Sequence, residues 1–197
     1  AVAVLEAGGV IAFPTDTFYG IGCDVISRKG IEKIYQLKGM PKSHSVSFIC
    51  GDLSDVGRYA MVDKAAFRIL KRKTPGPFTF ILEATKEVPR RVSHPSRRTI
   101  GLRVPAHRVT QGLLEAFGAP LLATTLIPPG EQRPLNDAHE IRERFQKTLQ
   151  AVVDAGACPA EPTTVVDLSG VEPIVARLGR GDPMRLGLVA APESAAD

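Results

Sequence analysis

With 197 residues, 44% of them hydrophobic and 23% charged, the chain can build a sizeable core without disulfide or metal staples. No apolar run approaches the ~20 residues that a membrane span needs, and the opening AVAVLEAGG lacks the basic start and long apolar stretch of a secretory signal. A balance of 25 basic against 21 acidic residues is too mild to name a partner by itself, and three cysteines without metal-like spacing point to a reducing, cytoplasmic setting, not a disulfide framework.

Val10, Ile11, Ala12 and Phe13 read as a short buried strand behind the pair Gly8-Gly9. Pro14 ends it, having no N–H to give a ladder. A polar loop is expected next. Thr15, Asp16, Thr17 and Tyr19 place four hydroxyl or carboxylate groups within five positions, and Gly20 and Gly22 close the loop. Ligands of open α/β sheets settle beyond the carboxyl ends of strands, which makes this loop a site candidate. The plainer alternative is a turn whose side chains satisfy local backbone groups. Ser27 is placed to cap a helix running to about Lys38, with Ile31, Ile34 and Tyr35 inward and Gly39 and Pro41 as stops. Val46 to Cys50 reads as a second strand and Gly51 to Asp55 as a turn. Asp63 to Lys73 reads as a helix with Ala66, Phe67, Ile69 and Leu70 on its apolar stripe.

Phe78 to Leu82 and Thr99 to Val104 are expected as the third and fourth strands, joined by the exposed, proline-containing EVPRRVSHPSRR. Thr110 to Phe117 reads as a helix with Gly118 at its C′ position, and Pro120 to Leu126 as a fifth strand. After the loop IPPGEQRPLND, Asn136 or Asp137 can cap the longest helix, whose Ile141, Phe145, Leu149 and Val152 repeat towards Gly156. Thr164 to Leu168 and Pro173 to Leu178 close the pattern as two strands. The alternation predicts one α/β domain over 1–187, a twisted mixed sheet with packed helices, and a disordered tail at 188–197.

The two commonest nucleotide-binding loops, G-x-G-x-x-G and G-x-x-x-x-G-K-[ST], are missing from the sequence. No Ser-His-Asp, Cys-His or metal-ligand grouping stands out. What remains is cationic and hydroxylic. Lys38 stands where a helix breaks beside a glycine, placed to meet a phosphate or carboxylate, or simply to complement the helix dipole. Arg103, between Leu102 and Val104, must turn one strand face towards something polar, with His107 four residues on. Arg177 repeats that pattern in the last strand. Thr124 and Thr125 end one strand, and Thr163 and Thr164 begin another. Such hydroxyls suit phosphate or carboxylate oxygens, although threonine is also a good strand residue. Two basic clusters, Arg68, Lys71, Arg72, Lys73 and Arg90, Arg91, Arg97, Arg98, would attract phosphates if they share a face; the alternative for each is a solvated surface.

The segments GGVIAFPTDTFYGIGCD, LKGMP, TPGPFTFIL, TIGLRVPAH and PTTVVDLSG followed by IVARLG resemble, in order and spacing, the YrdC/Sua5 family. These are the L-threonylcarbamoyladenylate synthases and their relatives, and the resemblance covers about Val4 to Leu186. It implies a YrdC-like domain whose twisted sheet encloses a deep, basic cleft. It further implies condensation of L-threonine, bicarbonate and ATP, the last with Mg2+, into threonylcarbamoyl-AMP and pyrophosphate for the t6A modification of tRNA. By motif, Thr15 and Tyr19 would form the threonine end of the cleft and Lys38 would contact phosphate and the carbamoyl region. Arg103 and His107 would join Lys38 as catalytic candidates along the substrate wall, and Thr164 and Arg177 would meet the nucleotide.

Two motifs depart from the synthases. Met40 stands where they carry the arginine of Lys-x-Arg, and Thr125-Leu126-Ile127 stands where they carry Ser-x-Asn. Of that set only Lys38 is kept, with Thr125 as a substitute hydroxyl in the substrate site. PTDTFYGIG, TPGPFTFIL, VPRRV and the PTTVVDL ending are closer to the YciO-type branch. Two expectations follow. One is a synthase-like enzyme of weak or altered activity. The other is a non-catalytic module that binds tRNA or rRNA through the basic cleft and Arg72, Lys73, Arg90 and Arg91.

Overall fold

The structure of the protein, a computed structural model, describes residues 1–39, 46–94 and 96–184. In chain order these form α1 (Val2–Glu6), β1 (Ile11–Phe13), β2 (Gly20–Asp24), α2 (Arg28–Lys38), β3 (Ser47–Ile49), α3 (Leu53–Tyr59) and α4 (Lys64–Lys73). There follow β4 (Phe78–Glu83), β5 (Thr99–Arg103), α5 (Arg108–Phe117), β6 (Leu121–Thr125), α6 (Ala138–Phe145), β7 (Ala151–Val152), β8 (Thr164–Asp167) and β9 (Ile174–Arg177). The strands join in one sheet, in the order β7-β1-β2-β6-β3-β5-β4-β8-β9. Pairs β7–β1, β3–β5 and β4–β8 are parallel and the others antiparallel. The α/β class and the twisted mixed sheet read from the alternation are the ones observed. The tail expected at 188–197, and Met40, lie outside the described residues. Among the described residues no helix is long and apolar enough to cross a membrane.

Local chemistry sets the helix ends. Ser27 Oγ accepts from the Gly30 N–H at the start of α2, and Gly39 ends that helix at φ 59°, a left-handed conformation that glycine adopts without strain. Asp63 and Asp137 cap α4 and α6 by accepting from the Ala66 and Glu140 N–H groups.

Four elements differ from the sequence reading. Gly20–Asp24 is a strand, not the end of a loop, and pairs with β1 so that Gly22 faces Ile11. A Cβ on Gly22 would lie 2.8 Å from the Phe13 ring and 2.9 Å from the Leu122 carbonyl. The glycine therefore serves close packing and not a turn. Residues 52–55, expected within a turn, instead start α3, because Asp52 accepts from the Ser54 and Asp55 N–H groups. The helix expected to reach Gly156 stops at Phe145. Beyond it Ala151 and Val152 pair with Ile11 and Ala12 as a parallel edge strand. Lastly, α1 precedes β1 and packs Leu5 with Ile11, Leu113 and Leu114.

The two sheet faces are covered unequally. On one, Ile21, Cys23, Phe48, Phe80, Leu102 and Leu122 pack with residues of α2, α3 and α4, among them Ile31, Ile34, Val56, Ala66 and Leu70. On the other, Phe13, Ile49, Leu121 and Ala123 meet Leu5 of α1 and Leu113 and Leu114 of α5. These two helices cover only the end around β1, β6 and β3, and the rest of that face becomes the floor of a cleft.

Candidate functional site

The cleft has a volume of about 470 Å³, within the range of small-molecule sites. Its floor follows the strand alternation: Ser47 and Ile49 of β3, Thr79 and Ile81 of β4, Thr99, Gly101 and Arg103 of β5, and Val165 and Arg177 of β8 and β9. Small residues hollow its centre. A Cβ on Gly101 would stand 2.8 Å from Ser47 Oγ, so the glycine lets its neighbours close up and leaves depth above them. The walls come from Thr15, Phe18 and Tyr19 before β2, Lys38 at the end of α2, Ile127 after β6, and Val92, Ser93, His94 and Arg97 between β4 and β5. Among the described lining residues the charged groups are Lys38, Arg97, Arg103 and Arg177, and none is a carboxylate.

Arg103 is only 8% exposed, and Asp16 beside it 6%. Arg103 Nη2 donates to Asp16 Oδ1 at 2.8 Å and to Thr17 Oγ1 at 3.1 Å. Asp16 Oδ2 accepts from the Ala106 N–H at 3.0 Å, and its main-chain carbonyl accepts from the Arg180 guanidinium at 2.6 Å. One buried residue thus ties the β1–β2 loop to β5, to the start of the α5 approach and to the segment after β9. A guanidinium at this depth requires such a partner. Arg103 Nε has no hydrogen-bond partner among the described residues.

Lys38 Nζ donates to the Thr125 carbonyl at 2.7 Å, which brings the end of α2 round to the end of β6. Burial lowers its pKa to about 8. Tyr19, a lining residue with a fully buried side chain, donates its hydroxyl to the Gly156 carbonyl at 2.9 Å and accepts from the Ala155 N–H at 3.3 Å. Burial raises its pKa. Arg177 holds the Thr163 carbonyl through Nε at 3.3 Å and Nη2 at 3.0 Å. Thr163 Oγ1 in turn lies 2.8 Å from Thr79 Oγ1.

The Sua5/YciO/YrdC family model, described as telomere recombination, matches residues 3–179. The chain belongs to this family. The uncharacterised protein YciO of Escherichia coli is 43% identical over 182 residues, covering 92% of this chain and 88% of YciO. The crystal structure of YciO matches at a TM-score of 0.87, with 42% identity over the same shares of the two chains. A threonylcarbamoyl-AMP synthase of Halorhodospira halophila is 34% identical over 154 residues, 78% of this chain and 80% of the synthase. P. abyssi Sua5, in a crystal structure complexed with L-threonine, matches at a TM-score of 0.84 and 27% identity over 90% of this chain and 52% of its own.

In this Sua5/YciO/YrdC-family chain, Thr15, Tyr19, Lys38, Arg103, Thr125 and Arg177 come together in the cleft. His107 and Thr164 are not among its lining residues. His107 caps α5, its Nδ1 accepting from the Thr110 N–H at 3.5 Å, and burial lowers its pKa. Thr164 Oγ1 accepts from the Gly179 N–H at 3.0 Å and donates to the Gly181 carbonyl at 2.5 Å. Of the basic residues read as RNA contacts, Arg72, Arg90 and Arg91 are exposed. Lys73 instead donates to the Asp182 carbonyl at 2.9 Å and lies 5.3 Å over the Phe78 ring.

Several residues in or behind the cleft escape sequence reasoning. Gly101 carries a usable signal, since a glycine inside a strand marks a close approach. Asp16 stands in a loop visibly rich in polar groups, yet nothing in the spacing names Arg103 as its partner. Ser47, Thr79 and His94 give no signal, because a lone Ser or Thr in a strand and a His in a polar loop are unremarkable.

Proposed function

We propose that the chain condenses L-threonine, bicarbonate and ATP to threonylcarbamoyl-adenylate and pyrophosphate for tRNA t6A modification, with an activity altered by Met40 and Ile127. The observation that carries this reading is the convergence of Lys38, Arg97, Arg103 and Arg177 with many hydroxyls, and no carboxylate, among the described lining residues of one cleft. Such a lining suits phosphates, bicarbonate and carboxylates, and stabilises negative charge that develops during transfer. Membership of a family that includes threonylcarbamoyl-AMP synthases, and the L-threonine complex of P. abyssi Sua5, support it.

In this reading the threonine amine bonds to the carbonate carbon with loss of water. A carbamate oxygen then bonds to the α-phosphorus as pyrophosphate leaves. The protein's part is to hold the reactants together and to offset their charge. Lys38, with a pKa of about 8, is largely an ammonium at neutral pH and serves a phosphate. Mg2+ arrives on the nucleotide as part of the substrate. The test is incubation with ATP, L-threonine and bicarbonate, followed by mass analysis for the adenylate and by pyrophosphate release. Absence of both products refutes the reading.

One observation favours a second reading, RNA binding without catalysis. Lys64, Arg68, Lys71 and Arg72 are exposed on the side of α4 away from its buried Ala66 and Leu70. None of the four is in an ion pair among the described residues. A face of this kind attracts a phosphate backbone. Stabilisation of the fold by RNA alone, and not by ATP with threonine, is the outcome that selects it.

A further inference from the structure

Three of the cleft cations already hold protein partners: Arg103 with Asp16 and Thr17, Arg177 with Thr163, and Lys38 with the Thr125 carbonyl. Two other donors of the same cleft are differently placed. Main-chain hydrogen bonds tie His94 to Arg98 and Thr99, where β5 begins. His94 N–H donates to the Thr99 carbonyl at 2.8 Å and Arg98 N–H to the His94 carbonyl at 2.9 Å. Arg97 N–H donates to His94 Nδ1 at 3.2 Å, and the Ser96 hydroxyl lies 3.3 Å from the same nitrogen.

A main-chain N–H can only donate, so His94 Nδ1 must be the bare nitrogen. The neutral ring then carries its proton on Nε2. That nitrogen lies on the opposite edge of the ring and has no hydrogen-bond partner among the described residues. His94 itself lines the cleft, and so does Arg97. Among the described residues the Arg97 side chain reaches only Asp167, at 3.6 Å, and is 65% exposed. Such a pair is weak and easily exchanged for a ligand.

We infer that His94 and Arg97 form an oxyanion subsite of the cleft, in which His94 Nε2–H and the Arg97 guanidinium donate to one phosphate or carboxylate group of the ligand. The inference rests on the reading of the cleft as a site for anionic reactants. Arg97 supplies charge through its side chain, and its own N–H fixes the His94 ring. The two donors are therefore coupled through a single hydrogen bond. The bond from Arg97 N–H sets the ring before a ligand arrives, which lowers the ordering cost of binding. A nucleotide phosphate and an amino-acid carboxylate present the same kind of oxygen to these donors, and the experiment separates them.

Calorimetric titration of the full chain with inorganic pyrophosphate, and separately with L-threonine, is compared for wild type, His94→Ala and His94→Gln. His94→Ala is expected to weaken one of the two by about tenfold. His94→Gln keeps an N–H donor and should restore most of that loss. A loss confined to pyrophosphate assigns the subsite to phosphate, and one confined to threonine assigns it to carboxylate. Histidine-labelled wild type needs no variant: its long-range 1H–15N spectrum should show His94 as the Nε2–H tautomer, with a resonance that moves when the same probe is added. Unchanged affinity for both probes, no binding of either by wild type, or an Nδ1–H tautomer overturns the inference. Adenylate formation is measured independently, so a chain that binds pyrophosphate through His94 and yet makes no adenylate refutes the proposed reaction alone.

Discussion

Arg103 and Asp16 stand 87 positions apart in the chain and 2.8 Å apart in the fold, each almost fully buried. Asp16 is the counter-charge that makes an arginine tolerable in the floor of the sheet. Asp16→Ala removes it while the guanidinium stays buried, and the expected loss is about 3–5 kcal/mol, read as a lower urea midpoint. Replacing both partners, Asp16→Ala with Arg103→Met, should cost less than the sum of the two single changes, since each single change strands a buried charge and the double change leaves none. A loss from Asp16→Ala of only about 0–1 kcal/mol, the range of exposed pairs, would show that water reaches this pair.

Lys38 links stability to function. Lys38→Met should lower adenylate formation by about 10²–10³, the effect of one lost donor to developing charge, with little change in melting temperature. Burial holds the Lys38 pKa at about 8, below its ordinary 10.5. Between those values the unfolded chain keeps a proton that the folded chain has released, so stability rises with pH across that window. The stability of wild type relative to Lys38→Met should therefore increase from about pH 8 to 10.5, as urea unfolding at each pH will show. A difference that stays constant over the window would mean the ammonium is solvated.

The parts of the fold legible in the sequence are those fixed by local chemistry. Ser27, Asp63, Asp137, Gly39 and Gly118 each mark a helix end through their own side chain or backbone conformation. The parts missed depend on distant neighbours. Gly22 reads as loop glycine because its reason, the crowding of Phe13 and Leu122, lies outside its own segment. Ala151–Val152 continues a helical repeat until β1 recruits it, and two residues are too few to show a strand period. The site divides the same way. Arg103 is conspicuous as an arginine between apolar strand neighbours, and Lys38 as a lysine at a helix stop. His94 owes its placement to main-chain hydrogen bonds with Arg97, Arg98 and Thr99 that only the fold reveals.

The exposed basic residues make a separate prediction about RNA. Binding should weaken steeply with salt, as counterion release requires. Arg72→Ala and Arg90→Ala should each lower the slope of log affinity against log salt by about 0.7–0.9 for every phosphate contact removed. Lys73→Ala should lower it less, because Lys73 is already held by the Asp182 carbonyl and the Phe78 ring. Electrophoretic or anisotropy titrations at four salt concentrations suffice, and a flat salt response rules out phosphate contacts.

Met40 and Ile127 are where the chain departs from the synthases it resembles. Ile127 lines the cleft, and its N–H donates at 3.0 Å to the Thr125 carbonyl that also accepts from Lys38. A polar side chain at 127 would therefore stand beside the Lys38 anchor. Met40 follows Lys38 by two positions in the sequence. Neither Met nor Ile can donate to a phosphate or carboxylate, and one missing charged donor in a dry site costs about 2.7–4 kcal/mol of transition-state stabilisation, or roughly two to three orders of magnitude in rate. Wild type should make threonylcarbamoyl-AMP slowly. Met40→Arg with Ile127→Asn should raise the rate by more than the two single changes combined, because both groups would act on one bound intermediate. Adenylate formation by wild type, both single variants and the double variant decides it. If the double variant folds with an unchanged melting temperature and gains no activity, the cleft serves a different anionic substrate, and the resemblance to the synthases marks descent without shared chemistry.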